Sequence, residues 1–400
     1  MSLTAPCLSR LAITKALLRP LLLPLLLPLL LCACSPGAPV QAGPDMPLAP
    51  PTPYHLYVAS NGSDSNLGSQ NAPFLSIERA AQVAFPGTTI HVAPGTYAGG
   101  FKTAASGTAN ERIYYIASRP GHARIVPPPQ SVNASAWDNR GDYVDIVGFD
   151  IDGSAHQSGV RWSNGLYSAG SYDSLRHNRV HDIANDSVSV CAGTDGAGIT
   201  IESYFKGVQG EVIGNRIHDI GRPDCPDVQG IAINTTALVA NNLVYRSGNA
   251  GICLWHDAHH VRVLNNTVTG ARIGILVGGG DFYGPPGRND YSNVSNNIVF
   301  DNQVGIIERG ATGSNNGYRN NLVFGNKDGD WGLARGMRHA GSVAADPGFV
   351  AYNREGTPDL RLAAASAAIG KGEFKHAHPV DFNGVRRSGD GGVDLGALQH

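Results

Sequence analysis

Residues 230–245 read Gly-Ile-Ala-Ile-Asn-Thr-Thr-Ala-Leu-Val-Ala-Asn-Asn-Leu-Val-Tyr. Apolar and other residues alternate with period two in Gly230-Ile231-Ala232-Ile233-Asn234 and again in Asn242-Leu243-Val244-Tyr245, and each run stops at Gly, Asn or Asp. These are short strands with no room for a helix between them. Outward from this stretch, a Gly followed by a large apolar residue recurs at Gly165-Leu166, Gly198-Ile199, Gly230-Ile231, Gly251-Ile252, Gly274-Ile275 and Gly305-Ile306, at spacings of 33, 32, 21, 23 and 31 residues. An Asn precedes a second apolar strand at Asn178, Asn215, Asn242, Asn266, Asn297 and Asn321, the last four each behind another Asn. Such self-similarity marks a solenoid. Each turn of chain must make two or three strands and return one strand spacing higher, about 4.8 Å along the axis. The reading is therefore all-β: a right-handed parallel β-helix, its apolar residues stacked inside and no coil able to bury its own face alone. The Asn row reads as a hydrogen-bonded ladder.

The flanks set the domain limits. Residues 1–34 read as an export signal, with Arg10, Lys15 and Arg19 ahead of the apolar run Leu21–Leu31. The run ends in Leu31-Cys32-Ala33-Cys34, which resembles the lipobox of bacterial lipoproteins and makes Cys34 the expected lipidation site. Ser35 beside it resembles proteins sent on to the outer membrane. Residues 35–54, rich in Pro and Ala, read as an extended tether. Residues 55–400 are the β-helix domain, with 55–97 as an N-terminal cap region and 340–400 as a closing segment. Within the cap, Ile77, Ala80, Ala81 and Ala84 have helical spacing behind Ser76 as N-cap. A short helix there would cover the open end of the stack.

With a net charge of -2 and 16% charged residues, the chain offers no electrostatic case for nucleic acid. The expectation is an exported monomer that meets a membrane only through its N-terminal lipid. Cys191 and Cys225 fall in matching insertions of successive coils and are expected to form a disulfide in an oxidising compartment, leaving Cys253 unpaired.

Tyr57-Val58-Ala59, Pro73-Phe74 and Pro86-Gly87-Thr88-Thr89-Ile90-His91-Val92-Ala93-Pro94-Gly95-Thr96-Tyr97 resemble the opening of secreted bacterial right-handed β-helix proteins, the pectate-lyase-like group. Asp346-Pro347-Gly348-Phe349-Val350 and Asp394-Leu395-Gly396-Ala397 resemble its closing segment. The resemblance implies contact with polysaccharide, as in lyases and epimerases of that group. The chain has no Asp cluster like the calcium site of such pectate lyases and no Asp-Pro-His phrase like that of alginate epimerases. The resemblance thus carries no site residues.

Site residues are expected where polar groups align on the coils. Four residues beyond each repeat Gly stand Ala169, Glu202, Asn234, Trp255, Gly278 and Arg309, with Ser203, Thr235, His256 and Asp257 beside them. Insertions at 184–196, 203–210, 221–228 and 278–292 would fence a groove over the middle coils. Tyr204, Trp255, Phe282 and Tyr283 could stack on sugars, and Lys206 and Arg288 could meet an acidic chain. For β-elimination on a uronate polymer, His256 or Lys206 would be the base, and calcium would be held by Glu202 with Asp195 or Asp257. A hydrolase would instead pair Glu202 with Asp257. An epimerase, and a non-catalytic protein that binds glycan or assists envelope assembly, remain alternatives, because one fold hosts many functions. His181 and His218, with Asp182 and Asp219 beside them, mark either a second polar site or stacked turn residues.

Overall fold

The computed structural model describes residues 54–129, 134–155, 162–185, 196–223, 225–285, 287–387 and 392–400. The expected export signal, nearly all of the tether, and Cys34, Cys191 and Asp195 lie outside the described residues.

The chain winds through three parallel sheets in turn and then climbs one coil. One complete turn runs Val144–Val147 in the first sheet, Asp150–Asp152 in the second, Asn164–Ser168 in the third, and back to Ser174–Arg176 in the first. Among the described residues the first sheet has ten strands and the other two have nine each. This is the right-handed parallel β-helix that the repeats require.

The repeat Gly phrases stack in register on the third sheet: Leu166, Ile199, Ile231, Ile252, Ile275 and Ile306 pair successively. Phe101 and Trp137 extend the column two coils further toward the N-terminus. The glycines have a common steric cause. A Cβ at Gly165, Gly198, Gly230, Gly251, Gly274 or Gly305 would lie 2.2 to 2.8 Å from a branched methyl of Val180, Ile217, Val244, Val268, Val299 or Val323. Each Gly is where the corner between the second and third sheets closes on the core. Burying each Ile then contributes roughly 1.5 to 3 kcal/mol.

The Asn row forms the expected ladder. Oδ1 of Asn215, Asn242, Asn266, Asn297 and Asn321 accepts the backbone N–H of the preceding ladder Asn at 2.8 to 3.0 Å. It also accepts that residue's Nδ2–H, so the first five ladder amides are each satisfied from the next coil, and Asn321 donates back to Val294 O.

The doubled Asn has a separate role. Asn241, Asn265, Asn296 and Asn320 sit at φ 55, 53, 59 and 49°, a left-handed conformation that Asn tolerates well. Their side chains bind the closing segment. Asn320 donates to Lys371 O, Asn296 to Glu373 O, Asn265 to Asp394 O and Asn241 to Val380 O. His177 and Gly214 hold this position in the two earlier coils, which carry a single Asn. The closing segment buries Leu243, Tyr245, Ile298 and Leu322 on the outer face of the second sheet beneath Leu360, Leu362, Leu395 and Leu398.

At the other end, helix Ile77–Val83 is capped by Ser76, whose Oγ accepts Arg79 N–H at 3.1 Å. Its Ile77, Ala80 and Ala81 are buried against the first coils, as the spacing requires.

Candidate functional site

The residue after each stacked apolar side chain points away from the core. On the third sheet this outer row runs Lys102, Asp138, Tyr167, Thr200, Ala232, Cys253, Leu276 and Ile307. The row changes character along the axis. Its first three positions are charged or phenolic and reach solvent, whereas the last three are apolar and each 5% exposed.

The polar part floors two adjoining clefts, of about 590 and 350 Å³, that share Lys102, Arg140 and Phe205. That size suits a small oligosaccharide. Asp138 organises the cations. Its two oxygens accept Arg140 Nε–H at 2.5 Å and Nη2–H at 2.9 Å, and Lys102 Nζ lies 3.5 Å away. The Arg140 guanidinium stands 3.7 Å from the Phe205 ring centre and 5.1 Å from that of Tyr167. Lys206, exposed on the same loop, lines the larger cleft, and Tyr204 with Asn164 lines the smaller. Burial, and then the negative charge of Glu202, push the Tyr167 phenol well above its usual range, so it holds its proton firmly.

The loop 203–209 doubles back over earlier coils. Tyr172 N–H donates to Val208 O at 3.0 Å, and Val208 N–H to Ser171 Oγ at 3.3 Å. Gly207 permits the approach, since a Cβ there would lie 2.6 Å from Ala169 O. Phe205 thereby reaches Arg140 from two coils away.

Glu202 and Asn234 are neighbours, as the count places them, with Asn234 Nδ2 donating to Glu202 Oε2 at 3.0 Å. Both are buried. Glu202 Oε1 accepts the N–H groups of Ser203 and Tyr204 at 2.8 and 3.1 Å, so this carboxylate shapes the loop that carries Tyr204. Asp257 does the same for the next insertion: Oδ1 accepts Tyr283 and Gly284 N–H at 3.1 and 3.2 Å, and Oδ2 accepts Ser203 Oγ–H at 3.2 Å. Both carboxylates thus meet at Ser203, Glu202 through its backbone N–H and Asp257 through its hydroxyl.

His256 stacks on Tyr283 at 4.4 Å, with Nε2 3.2 Å from the phenol oxygen and Nδ1 2.9 Å from Asp281 O, outside the cleft lining. Tyr283 meets Tyr204 edge to face at 5.3 Å. The partly buried Trp255 ring lies against Gly278, Gly280 and Gly310 and lines neither cleft. Arg309 and Arg288 are exposed and line neither cleft. Cys253 is free and buried, while Cys225 is not among the free cysteines.

Lys102, Asp138, Arg140 and Tyr167 were not in the sequence expectation, which began its count at Gly165. The signal was there in Gly100-Phe101-Lys102 and Ala136-Trp137-Asp138, which occupy the same register two coils and one coil earlier. The open part of the face accordingly lies nearer the N-terminus than the middle coils.

On the second sheet, Asp152, His181 and Asp182 are close enough to share an ion. Arg124 already pairs with Asp152. His181 lies 2.7 Å from Asp182 and 3.2 Å from Asp150; burial opposes its charge, but hydrogen bonds to Asp150 and Asp182 prevail and raise it to about 9. The His181, His218 and Tyr245 rings stack at 5.0 and 4.8 Å, so these residues form a column on the coils.

Residues 56–211 match the family described as Pel9A-like, right-handed β-helix region. The chain is similar to the pectate lyase Pel9A at 18% identity and a TM-score of 0.57, over 88% of this chain and 97% of that one. It is similar to a rhamnogalacturonan lyase at 15% identity and a TM-score of 0.52, over 80% and 97%. With XylC, solved in complex with xylose, the values are 14% and 0.51, over 72% and 68%. Sixty-one residues are 38% identical to YwoF, an uncharacterized protein of Bacillus subtilis (strain 168); the match spans 15% of this chain and 13% of that relative. At these identities the solved structures show a shared fold.

Proposed function

We propose that this chain is an exported protein that acts on an acidic, uronate-containing polysaccharide by β-elimination. The observation that carries the reading is a pair of adjoining clefts that share Lys102, Arg140 and Phe205, with Lys206 lining one and Tyr167 and Tyr204 the other. Cations meet the carboxylates of such a glycan, and aromatic faces meet its rings. Two structural relatives are a pectate lyase and a rhamnogalacturonan lyase, which agrees with the reading.

In the reaction a base removes the proton at C5, the bond from C4 to the linking oxygen breaks as the C4–C5 double bond forms, and that oxygen takes up a proton. Arg140, held in plane by Asp138, binds the uronate carboxylate and stabilises the charge that builds on it. The free amine of Lys206, not its ammonium form, removes the C5 proton. Tyr167 supplies the proton to the leaving oxygen.

The test is the ultraviolet absorbance of the unsaturated uronate, followed with the full chain on a panel of acidic polysaccharides, with calcium and with chelator. Lys206→Ala and Tyr167→Phe should each lower kcat/KM by roughly a hundredfold or more. Shortened chains without absorbance would move the reading to hydrolysis. Binding with neither signal would make the protein a glycan-binding module. Export through residues 1–34 belongs to the same proposal: labelled palmitate should be incorporated by the natural chain and not by Cys34→Ala.

A further inference from the structure

We infer that the cleft takes the end of an acidic glycan, about two to three sugars long, and not the interior of a long polymer. This rests on the reading that the cleft binds an acidic glycan, and adds where the chain must stop.

The outer row sets the length. Lys102, Asp138 and Tyr167 occupy three successive coils, so the polar floor spans two spacings of about 4.8 Å. Beyond it Thr200 is 4% exposed, its hydroxyl spent on Asn164 Oδ1 at 2.9 Å. From Ala232 through Cys253, Leu276 and Ile307 the row offers no oxygen or nitrogen side-chain atom. The neighbouring outer row behaves alike. Ser135 and Asn164 line the cleft, but Ala197, Ala250 and Ile273 follow, and Gln229 turns its Oε1 to the backbone N–H of Ala250.

The far end of the floor is also walled. Tyr204 and Phe205 double back from the coil after Tyr167 and stand in the cleft, and Asp257 ties the next loop to Ser203 behind them. A glycan cannot run the length of this face, because Ala250, Cys253, Ile273, Leu276 and Ile307 are 5% exposed or less and leave it neither open surface nor hydrogen-bond partner. A chain end of two to three residues stays within the polar lining, where Lys102, Arg140 and Lys206 stand beside Asp138, Asp142, Asn164 and Tyr167, and against the aromatic wall.

The experiment is a titration of the full chain with oligogalacturonates and oligomannuronates of two to six residues, beside the parent polymers. Affinity should rise to the trimer and stay within about twofold from trimer to hexamer. If the chain is catalytic, short products should appear while the polymer's viscosity falls little. Ala232→Lys, two coils beyond the floor, should change neither. Affinity that climbs tenfold or more between trimer and hexamer, or an early collapse of viscosity, would overturn the chain-end inference and leave the acidic-glycan reading standing. No binding at any length, or binding indifferent to Arg140→Gln, would remove that reading and the inference with it.

Discussion

Arg140 shows how one side chain does several things at once. Its fork is held by both oxygens of Asp138 while its plane lies on Phe205 and near Tyr167. A lysine there keeps the charge and loses the bidentate geometry and the stacking. Arg140→Gln should weaken binding of a uronate trimer by roughly ten- to a hundredfold, and Arg140→Lys should restore only part of that, as calorimetric titration would read. His181 gives a pH prediction whose sign follows from its surroundings. Its folded value, about 9, lies above the ordinary imidazole value of 6.5 because Asp150 and Asp182 outweigh burial. The stabilisation it supplies is therefore complete below the unfolded value and is lost as pH rises through about 9. The urea midpoint should fall across that window, and His181→Gln should flatten the fall.

At the scale of elements, the two asparagines of each pair separate cleanly. Asn266 joins the coil above and the coil below through its amide and is fully buried, so Asn266→Ala should cost about 2 to 4 kcal/mol by leaving several partners unmet. Asn265 binds only the closing segment through its side chain, and Asn265→Ala should cost about 1 kcal/mol. Gly274→Ala, with a methyl 2.2 Å from Val299 Cγ1, should cost about 1 to 3 kcal/mol. Thermal unfolding of the three variants would test the order. These elements were legible because Gly, Asn and Ile recur at one register position, and repetition makes a steric rule visible in the letters. The cleft was less legible for two reasons. Phe101 and Trp137 replace the Leu or Ile of the repeat, so its first two coils do not match the phrase. The loop carrying Phe205 returns across two coils, a contact that no local spacing encodes. Glu202 and Asp257 were found by counting, but that they bind loop N–H groups depends on how the chain turns after them.

Across the whole molecule, stability and chemistry occupy different coils. The third sheet's outer face is polar over its first strands and apolar over its last, while the closing segment covers the second sheet beside Tyr245, Ile298 and Leu322. Ending the chain before residue 340 should expose that face and give aggregation on light scattering, even though the cleft residues all precede it. The closing segment also meets Asn320, Asn296, Asn265 and Asn241 in turn, one per coil. It is therefore a ruler laid against the stack, with a mark on each rung. A duplicated coil between Asn241 and Asn320 would put the marks out of step, whereas one inserted before Gly214, ahead of the first mark, would disturb none of them. Over generations of duplication and loss, the end that carries the cleft is free to lengthen and vary, and the other end is held to a count.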